Sequence, residues 1–343
     1  MAINRQGARA LRFRNMPRIA GHAAIVGKKE GEGPLYETFD YIAEDDHFNQ
    51  ETWEKAESEM QKQCIELAAR KAGREVREMN MILAGDLLNQ CIGSAFASSE
   101  SNVPFLGLYG ACSTMAESLL LGACLVDGGF ADELACAASS HFCTAERQYR
   151  FPLAYGGQRT PTAQWTATAA GAAVLASKPS RGRIAVVGGA IGQMVDLGVK
   201  DANNMGAAMA PAAHRTLTDY WKDTGTKPSD YDMVVTGDLA GVGADLLLKL
   251  CEHDGLDVRP VYSDCGLMLF SPEQDVHAGA SGCGCSACVL CGRILRDMEQ
   301  GLLRRVIFAG TGAMMSPVSV QQGQSIAGVC HMVVLERQEG EKN

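Results

Sequence analysis

The sequence contains an internal repeat. Residues Asn80 to Asn89 read NMILAGDLLN and residues Asp232 to Gly241 read DMVVTGDLAG, so each segment is a short apolar run closed by Gly-Asp-Leu. Self-similarity of this kind is typical of a fold built from copies of one unit. The chain is therefore predicted to contain two copies of one structural unit.

Four further matches follow the same order along both copies. The offset between Arg18 and Arg183 is 183 − 18 = 165 residues, whereas the offset between Asp86 and Asp238 is 238 − 86 = 152, so the loops differ in length. The matching segments are Arg18 to Lys28 with Arg183 to Gln193, Gly110 to Ser118 with Gly284 to Val289, Leu134 to Ser140 with Val306 to Ala313, and Thr166 to Lys178 with Ser325 to Arg337. We predict an N-terminal arm over residues 1–17, a first half over 18–180 and a second half over 181–339.

The apolar patterns predict alternating strands and helices in each copy, which favours a mixed α/β fold. The predicted strands are Ile82 to Ala84, Phe105 to Leu108, Leu134 to Ala138, Ala170 to Ala176, Ile184 to Val187, Met233 to Thr236, Val306 to Ala309 and Met332 to Leu335. The predicted helices are Gln50 to Ala72, Thr114 to Val126, Ala213 to Asp223, Gly243 to His253 and Ser286 to Met298.

Charge and hydropathy exclude some classes of protein. The net charge of −9 argues against a nucleic-acid-binding surface, which needs clustered basic residues. The longest apolar run, Leu119 to Val126, is far shorter than the roughly 20 residues that cross a bilayer, and no segment resembles a signal peptide. The basic N-terminal segment from Arg5 to Lys29 is expected to be a solvated arm, with adhesion to an anionic membrane as the alternative.

The 13 cysteines are expected to be reduced thiols, because no export signal is recognised. Cys283, Cys285, Cys288 and Cys291 form a C-x-C-x2-C-x2-C pattern, which is similar to iron–sulfur and zinc sites. The alternative, which we favour, is a tightly packed helix with small side chains, because a helix cannot wrap four ligands around one metal.

Longer motifs resemble one known family. They are GDLLNQ (Gly85 to Gln90), YGACST (Tyr109 to Thr114), SSHFCTAERQYRFP (Ser139 to Pro152), AMAPAA (Ala208 to Ala213), TGDLAGVG (Thr236 to Gly243) and SDCGL (Ser263 to Leu267). They are similar to the stage V sporulation protein AD family, within the thiolase and ketoacyl synthase superfamily. The resemblance implies a thiolase-like fold, in which two duplicated α/β halves form a layered sandwich with buried helices between sheets.

The resemblance also implies a function in spore-forming bacteria. Members of the family bind dipicolinic acid (pyridine-2,6-dicarboxylate) and act in its uptake into the forespore with calcium. They do so with membrane proteins of the same stage V sporulation system, types AA to AF, as peripheral proteins of the inner spore membrane. By the same resemblance we expect a homodimer formed through the strand Phe105 to Leu108, and no cofactor or resident metal.

Cys112 lies where enzymes of the superfamily carry the acyl-accepting nucleophile, at a helix N-terminus whose dipole is expected to lower the thiol pKa. Condensation also needs His and Asn, or His and a second Cys. The matching positions hold Gly237 and Asp238 after one strand, and Ser281 to Cys283 before the late helix. We therefore predict a non-catalytic binding protein. The alternatives are an acyl-transfer enzyme that uses Cys112, and a structural subunit with a vestigial pocket.

The candidate ligand-binding residues come from three parts of the chain. His141, Arg147 and Arg150 follow a buried strand and offer donors for carboxylates, although His141 can equally satisfy a loop carbonyl and Arg147 can equally form an ion pair. Asp86 and Asp238 occupy matching positions where they could either contact calcium or cap a turn, and Asn89 has the same ambiguity. Met205 and Met209 are expected to wall the cavity, although core packing is the default role of methionine. The ligand-binding candidates are thus Cys112, His141, Arg147, Asp86, Asn89, Asp238, Met205 and Met209.

Overall fold

The computed structural model describes residues 2–149 and 159–339. Its strands, in chain order, are β1 (Arg5–Gln6), β2 (Ala10–Arg12), β3 (Arg18–Val26), β4 (Tyr41–Ile42), β5 (Ile82–Gly85), β6 (Phe105–Gly107), β7 (Glu133–Ser140), β8 (Trp165–Thr166), β9 (Ala169–Ala176), β10 (Ile184–Ala190), β11 (Met233–Thr236), β12 (Tyr262–Asp264), β13 (Ala280–Ser281), β14 (Arg305–Met314) and β15 (Ala327–Arg337). Its α-helices are α1 (Lys28–Gly31), α2 (Trp53–Lys71), α3 (Ile92–Ser99), α4 (Thr114–Asp127), α5 (Phe142–Tyr149), α6 (Met205–Thr224), α7 (Ala240–His253), α8 (Cys265–Met268), α9 (Cys283–Val289), α10 (Leu295–Gln300) and α11 (Pro317–Gln321).

The strand order repeats between the two halves of the chain. The sheet path runs β12-β11-β14-β15-β10-β3-β9-β7-β5-β6, so five strands of the second half meet five of the first where β10 pairs with β3. In the second half the three outermost strands, β12, β11 and β14, are parallel, and in the first half so are β6, β5 and β7. The remaining neighbours along the path are antiparallel. The predicted strands are all present, and the predicted α/β fold is confirmed.

Helices cover both faces of the sheet in each half. Helix α2 packs on β3, β9 and β7, and α6 packs on β14 and β15, while α4 contacts strands of both halves from between them. The buried face of α2 repeats at helical spacing through Ala56, Met60, Cys64 and Ala68. The result is the expected layered sandwich with buried helices at its centre.

Small residues let the central helix α9 approach β9 closely. A side-chain carbon added at Gly171 of β9 would lie 2.3 Å from the carbonyl oxygen of Ala287, and one added at Gly284 would lie 2.3 Å from that of Ala169. Every residue of β9 is buried, because α2 covers one face and α9 covers the other. Close packing at these two glycines fixes the position of α9 against β9.

The late helix is longer than predicted. It begins at Cys283, passes through a π-helical segment over Leu290–Ile294 and continues as α10. Its four cysteines are completely buried along the helix, as the favoured interpretation predicts. In the two described ranges, no group of three or more His, Cys, Asp or Glu side chains is arranged to hold a metal ion.

The prediction of a solvated N-terminal arm is wrong. Strand β2 pairs with β10, and the side chain of Phe13 is buried in the core. The Asp223 carboxylate at the end of α6 accepts hydrogen bonds from the backbone amides of Arg9 and Ala10. The arm therefore extends the sheet, because its backbone donors and acceptors find partners there. Across residues 2–149 and 159–339, no helix is both long and apolar enough to cross a membrane.

Helix α6 also begins earlier than predicted. It starts at Met205 after Asn204, whose side chain accepts a hydrogen bond from the amide of Ala207 and so caps the helix. Pro211 lies inside the helix, where a proline removes one backbone hydrogen bond. Because proline usually breaks a helix, the sequence predicted a start only after Pro211 and missed the first two turns. Those turns place Met205 at the site described next.

Candidate functional site

A cavity of about 360 Å³ opens in front of Cys112. Its walls come from the loops that follow β5, β6, β10 and β14, and from one side of α5. The lining residues are Leu87, Asn89, Tyr109, Ala111, Cys112, Ala145, Glu146, Tyr149, Thr166, Ala202, Asn203, Met205, Ser281, Ala313, Met314, Met315, Ser316 and Pro317. The volume lies within the range of small-molecule sites.

Cys112 is held at a sharp turn between β6 and α4. Ala111, the residue before it, has a backbone φ of 51°, in the left-handed region that non-glycine residues seldom adopt. A single 3₁₀ turn over Ala111–Ser113 then leads into α4. This turn places the thiol at the cavity wall, 4.0 Å from the hydroxyl oxygen of Ser281.

Behind the thiol lies a buried carboxylate, that of Asp238. Its Oδ2 accepts hydrogen bonds from the Ser281 hydroxyl at 3.1 Å and from the Gly282 amide at 2.9 Å. Its Oδ1 accepts one from the Thr311 hydroxyl at 2.9 Å, and Thr311 in turn accepts one from the Asp238 amide at 3.1 Å. Asp238 and Ser281 stand where the catalytic partners were expected. They thus belong to one hydrogen-bonded network beside Cys112.

This environment disfavours the thiolate. Burial raises the pKa of the Cys112 thiol well above its ordinary value, and the negative charge of Asp238 raises it further. The prediction that the helix dipole lowers this pKa is wrong, because burial and the carboxylate outweigh it. Burial likewise raises the pKa of Asp238, against hydrogen bonds that lower it. The thiol is therefore neutral near pH 7 and a weak nucleophile.

Aromatic and amide side chains form the opposite wall. The Tyr109 hydroxyl donates to Asn89 Oδ1 at 3.3 Å, and the Tyr149 hydroxyl donates to the carbonyl oxygen of Leu87. The backbone amide of Asn89 donates to the side-chain Oε1 of Gln148 on α5 at 3.0 Å. These contacts connect the loop after β5 to α5 and present ring faces and polar groups to the cavity.

His141 lies outside the cavity lining and is almost fully buried. Its Nδ1 accepts a hydrogen bond from the Cys143 amide at 3.1 Å, so Nε2 carries the proton and donates to the Asp46 carbonyl oxygen at 2.7 Å. Burial lowers its pKa, which keeps the ring neutral. The structure thus places His141 in the alternative arrangement, in which it satisfies a loop carbonyl.

Arg147 points to α2. Its guanidinium forms an ion pair with Glu54 and stacks on the Trp53 ring at 5.5 Å from the centroid. Arg147 is absent from the cavity lining, and Arg150 lies outside the described residues. The ion-pair alternative describes Arg147 in this structure.

The remaining candidates divide between the cavity and the core. Asn89 and Met205 line the cavity, whereas Met209, on the buried side of α6, is completely buried in the core. Asp86 accepts hydrogen bonds from the Leu88 amide at 2.8 Å and from the amide and hydroxyl of Ser94, both at 2.7 Å. Asp86 therefore stabilises its own loop and the start of α3. The geometry brings Cys112, Asn89, Met205 and, through Ser281, Asp238 to one place.

Sequence reasoning missed most of the cavity wall. Tyr149 lies in a quoted motif and Tyr109 stands three residues before Cys112, so their proximity to the candidate site was available from the sequence. Asn203 and the loop residues Met314, Met315 and Pro317 come from connections far away in sequence, and no motif marks them.

Known proteins resemble this chain in sequence and in structure. The family model described as "Stage V sporulation protein AD (SpoVAD)" matches residues 7–336. A relative, stage V sporulation protein AD of Bacillus subtilis (strain 168), is 42% identical over 321 residues, which cover 94% of each chain.

Similar solved structures are enzymes with low sequence identity. The 3-oxoacyl-[acyl-carrier-protein] synthase III of Aquifex aeolicus VF5 has a TM-score of 0.55 at 13% identity, with 93% of this chain and 99% of that chain covered. The C143A variant of Xanthomonas campestris OleA has a TM-score of 0.61 at 16% identity, with coverages of 95% and 98%. At such identities the likeness shows the thiolase-like fold alone, whereas the sequence matches show that the chain belongs to the stage V sporulation protein AD family.

Proposed function

We propose that this sporulation protein binds dipicolinic acid in the cavity in front of Cys112, without catalysing a reaction, and acts in the uptake of dipicolinate and calcium into the forespore. The observation that carries the proposal is that an open cavity lies in front of Cys112 while Asp238 and Ser281 stand beside the thiol where catalytic partners were expected. Asp238 stands where a condensing enzyme needs a proton donor or a donor to an oxyanion, and its carboxylate would repel an enolate.

The cavity suits a flat ring that carries oxygen substituents. Tyr109 and Tyr149 offer aromatic surface, and Met205 offers an adaptable apolar contact. Asn89, Asn203, Ser281 and Thr166 offer amide and hydroxyl groups that hydrogen-bond carboxylates. Such a mixture of apolar walls and a few polar groups is typical of small-molecule sites.

The charge of the wall favours the calcium chelate over the free dianion. Within the described residues, no Arg, Lys or His lines the cavity, and Glu146 is one of the lining residues. Among these described residues a free dicarboxylate would find no cation to balance its charge, which is costly in a partly closed site. Calcium bound to the dicarboxylate removes that cost, and it accepts further oxygen ligands from protein side chains.

The proposal includes the place and partners of the protein. It acts as a peripheral protein at the inner spore membrane, together with other stage V sporulation proteins of the AA to AF group. The edge strand β6 is a candidate surface for a homodimer, because Leu106 on the strand and Phe96 on the neighbouring α3 are 46% and 63% exposed.

Calorimetric titration of the purified chain with dipicolinate, with and without equimolar CaCl₂, tests the proposal. We expect saturable binding that calcium strengthens. Ala202→Trp should abolish binding, because Ala202 lines the cavity and the indole would fill it. Ala207→Trp is the matched control, because Ala207 is also partly buried and lies outside the lining.

Two results would contradict the proposal. Absence of saturable binding by the unmodified chain under both conditions would favour the structural subunit with a vestigial pocket. Transfer of an acyl group from an acyl thioester to Cys112, detected by intact mass and lost in Cys112→Ala but kept in Cys124→Ala, would favour the acyl-transfer enzyme.

A further inference from the structure

A second concavity, of about 800 Å³, lies beside the N-terminal strands. We call it the arginine groove and define it by its basic residues Arg5, Arg12, Arg14 and Arg305. It shares no lining residue with the cavity at Cys112. Strand β2 holds Arg12 in place by pairing that residue with Gly188 of β10, and Arg305 begins β14.

The groove is strongly positive in a chain of net charge −9. Among the residues that the structure describes, its one acidic lining residue is Glu336, at the end of β15. The Arg5 guanidinium donates to the Ala8 carbonyl oxygen and that of Arg14 to the Ile3 carbonyl oxygen at 2.9 Å, so neither is paired with a carboxylate. For Arg12, the described ranges supply no hydrogen bond or ion pair to its exposed side chain. Four guanidinium groups thus face one carboxylate.

Arg305 has a buried donor that makes no hydrogen bond, although its guanidinium forms an ion pair with Glu336. Its guanidinium stacks on the Tyr231 ring at 4.7 Å, which fixes the plane of the group. Its Nε is buried and has no hydrogen-bond partner, since the nearest Glu336 oxygen is 3.8 Å away. A buried donor without an acceptor is costly, so a ligand oxygen at this point would relieve the cost.

The rest of the wall suits the organic part of a ligand. Leu11, Phe13 and Val187 line the groove with apolar surface, and Thr224 and Thr226 add hydroxyl groups. A groove with both features fits an anionic head attached to a less polar body. Guanidinium groups bind phosphate through paired hydrogen bonds, and the three terminal oxygens of a phosphate ester can engage several of them at once.

We propose that the arginine groove is a binding site for the phosphate group of a phosphate ester. The ester is either a soluble phosphomonoester or the phosphodiester headgroup of an anionic phospholipid, because both present anionic non-bridging phosphate oxygens that can accept hydrogen bonds from Arg12, Arg14 and Arg305. The proposal is independent of dipicolinate binding, because the two sites share no residue.

Two arms of one experiment test the site on the full chain. Glycerol 1-phosphate binding is measured by calorimetry, and flotation is measured with vesicles of phosphatidylglycerol against vesicles of phosphatidylcholine. We expect binding in at least one arm, weakened by high salt because partly exposed charges are screened. Arg12→Ala combined with Arg14→Ala should weaken it at least tenfold, since each hydrogen bond to a charged group is a strong one.

The controls separate loss of the site from loss of the fold. Arg70→Ala combined with Arg77→Ala removes two exposed charges from the surface of the first half and should leave binding unchanged. The double lysine variant of Arg12 and Arg14 keeps the charge but loses the paired geometry, and should bind with intermediate affinity. All variants should keep the thermal midpoint of the unmodified chain.

Each outcome has a definite meaning. Binding of glycerol 1-phosphate without vesicle flotation assigns a soluble ester, and flotation that glycerol 1-phosphate does not compete assigns the lipid. Absence of binding in both arms overturns the proposal, as does binding that the Arg12 and Arg14 substitutions leave unchanged.

Discussion

Asp86 and Asp238 stand at matching points of the two halves, each directly after a buried strand and within the same Gly-Asp-Leu sequence. Asp86 receives its hydrogen bonds from residues no more than eight positions away in the chain. Asp238 receives its own from Ser281, Gly282 and Thr311, which are 43 to 73 positions away. One copy of the motif closes a loop, and the other connects three distant segments beside Cys112.

This difference shows how a duplicated chain divides its roles. The first half supplies the thiol and much of the cavity wall, and the second half supplies the carboxylate that, in addition to burial, raises the pKa of the thiol. Neither half contains the whole site, so it depends on the contact between them.

The largest expected loss of stability comes from removing the Asp238 carboxylate, which connects distant segments of the chain. Asp238→Ala should lower the free energy of unfolding by about 3 kcal/mol, because it leaves buried donors at Ser281, Gly282 and Thr311 without an acceptor. Asp86→Ala should cost less, about 2 kcal/mol, because its partners lie in one short segment that can readjust. Urea denaturation measures both, and equal losses would contradict the comparison.

The second prediction concerns the pH dependence of stability. Burial, with the charge of Asp86 as a further cause, raises the pKa of Glu57 in the first half to about 8 from an ordinary 4.5, whereas burial raises that of Asp264 in the second half only to about 6. A carboxyl whose folded pKa is raised contributes stability at low pH that is lost as pH rises through the folded value.

Between pH 6 and 8, Glu57→Gln should therefore reduce the decline in stability by about 2 kcal/mol. Asp264→Asn should reduce that decline much less, by under about 1 kcal/mol, because the Asp264 carboxyl, with a pKa of about 6, is largely ionised above pH 7. Urea denaturation at several pH values measures the slopes. An unchanged slope in Glu57→Gln would show that Glu57 is already ionised in the folded chain at pH 6.

The third prediction tests the effect of the Asp238 carboxylate on the pKa of the Cys112 thiol. Asp238→Asn should raise the rate of Cys112 alkylation by iodoacetamide roughly tenfold at pH 8, because removing the charge lowers the thiol pKa. Asp86→Asn should leave the rate unchanged, since that carboxylate is hydrogen-bonded within its own loop. Peptide mass spectrometry assigns the modified cysteine, and similar rates in both variants would remove Asp238 as a cause.

The smallest loss of stability is expected for the exposed ion pairs, of which each half contains an example. Arg147→Ala should cost less than about 1 kcal/mol and leave dipicolinate affinity unchanged, because its ion pair with Glu54 is partly exposed. Arg215→Ala, which breaks an exposed pair with Asp219 in the second half, is the matched control. A loss of dipicolinate affinity in Arg147→Ala, but not in Arg215→Ala, would show that Arg147 contributes to ligand binding.

The repeated elements were predictable because apolar strands and their order leave a direct mark on the sequence. Short helices such as α3 and α5 were missed because they lack a long apolar period. The motif around Cys112 predicts a cysteine at the start of a helix, and the structure has it in the turn that leads into α4.

The directions of the polar side chains were not predictable in the same way. His141 and Arg147 follow a strand that leads toward the site, but local acceptors at Asp46 and Glu54 engage them instead. The hydrogen-bond network of Asp238 depends on contacts with residues of β13, of β14 and at the start of α9. Contacts between such distant segments cannot be read from a single sequence. Cavity walls made of loop residues are hidden for the same reason.

The close contact of α9 with β9 limits how the interior of this protein can change over evolutionary time. Neither Gly171 nor Gly284 can gain a side chain without moving the helix that carries the four cysteines, so this contact has almost no freedom to vary. Met314 at the end of β14 and Pro317 at the start of α11 line the cavity and are not part of that contact. A lineage that acquires a new ligand should therefore do so by exchanging residues that line the cavity while it inherits the contact between α9 and β9 unaltered.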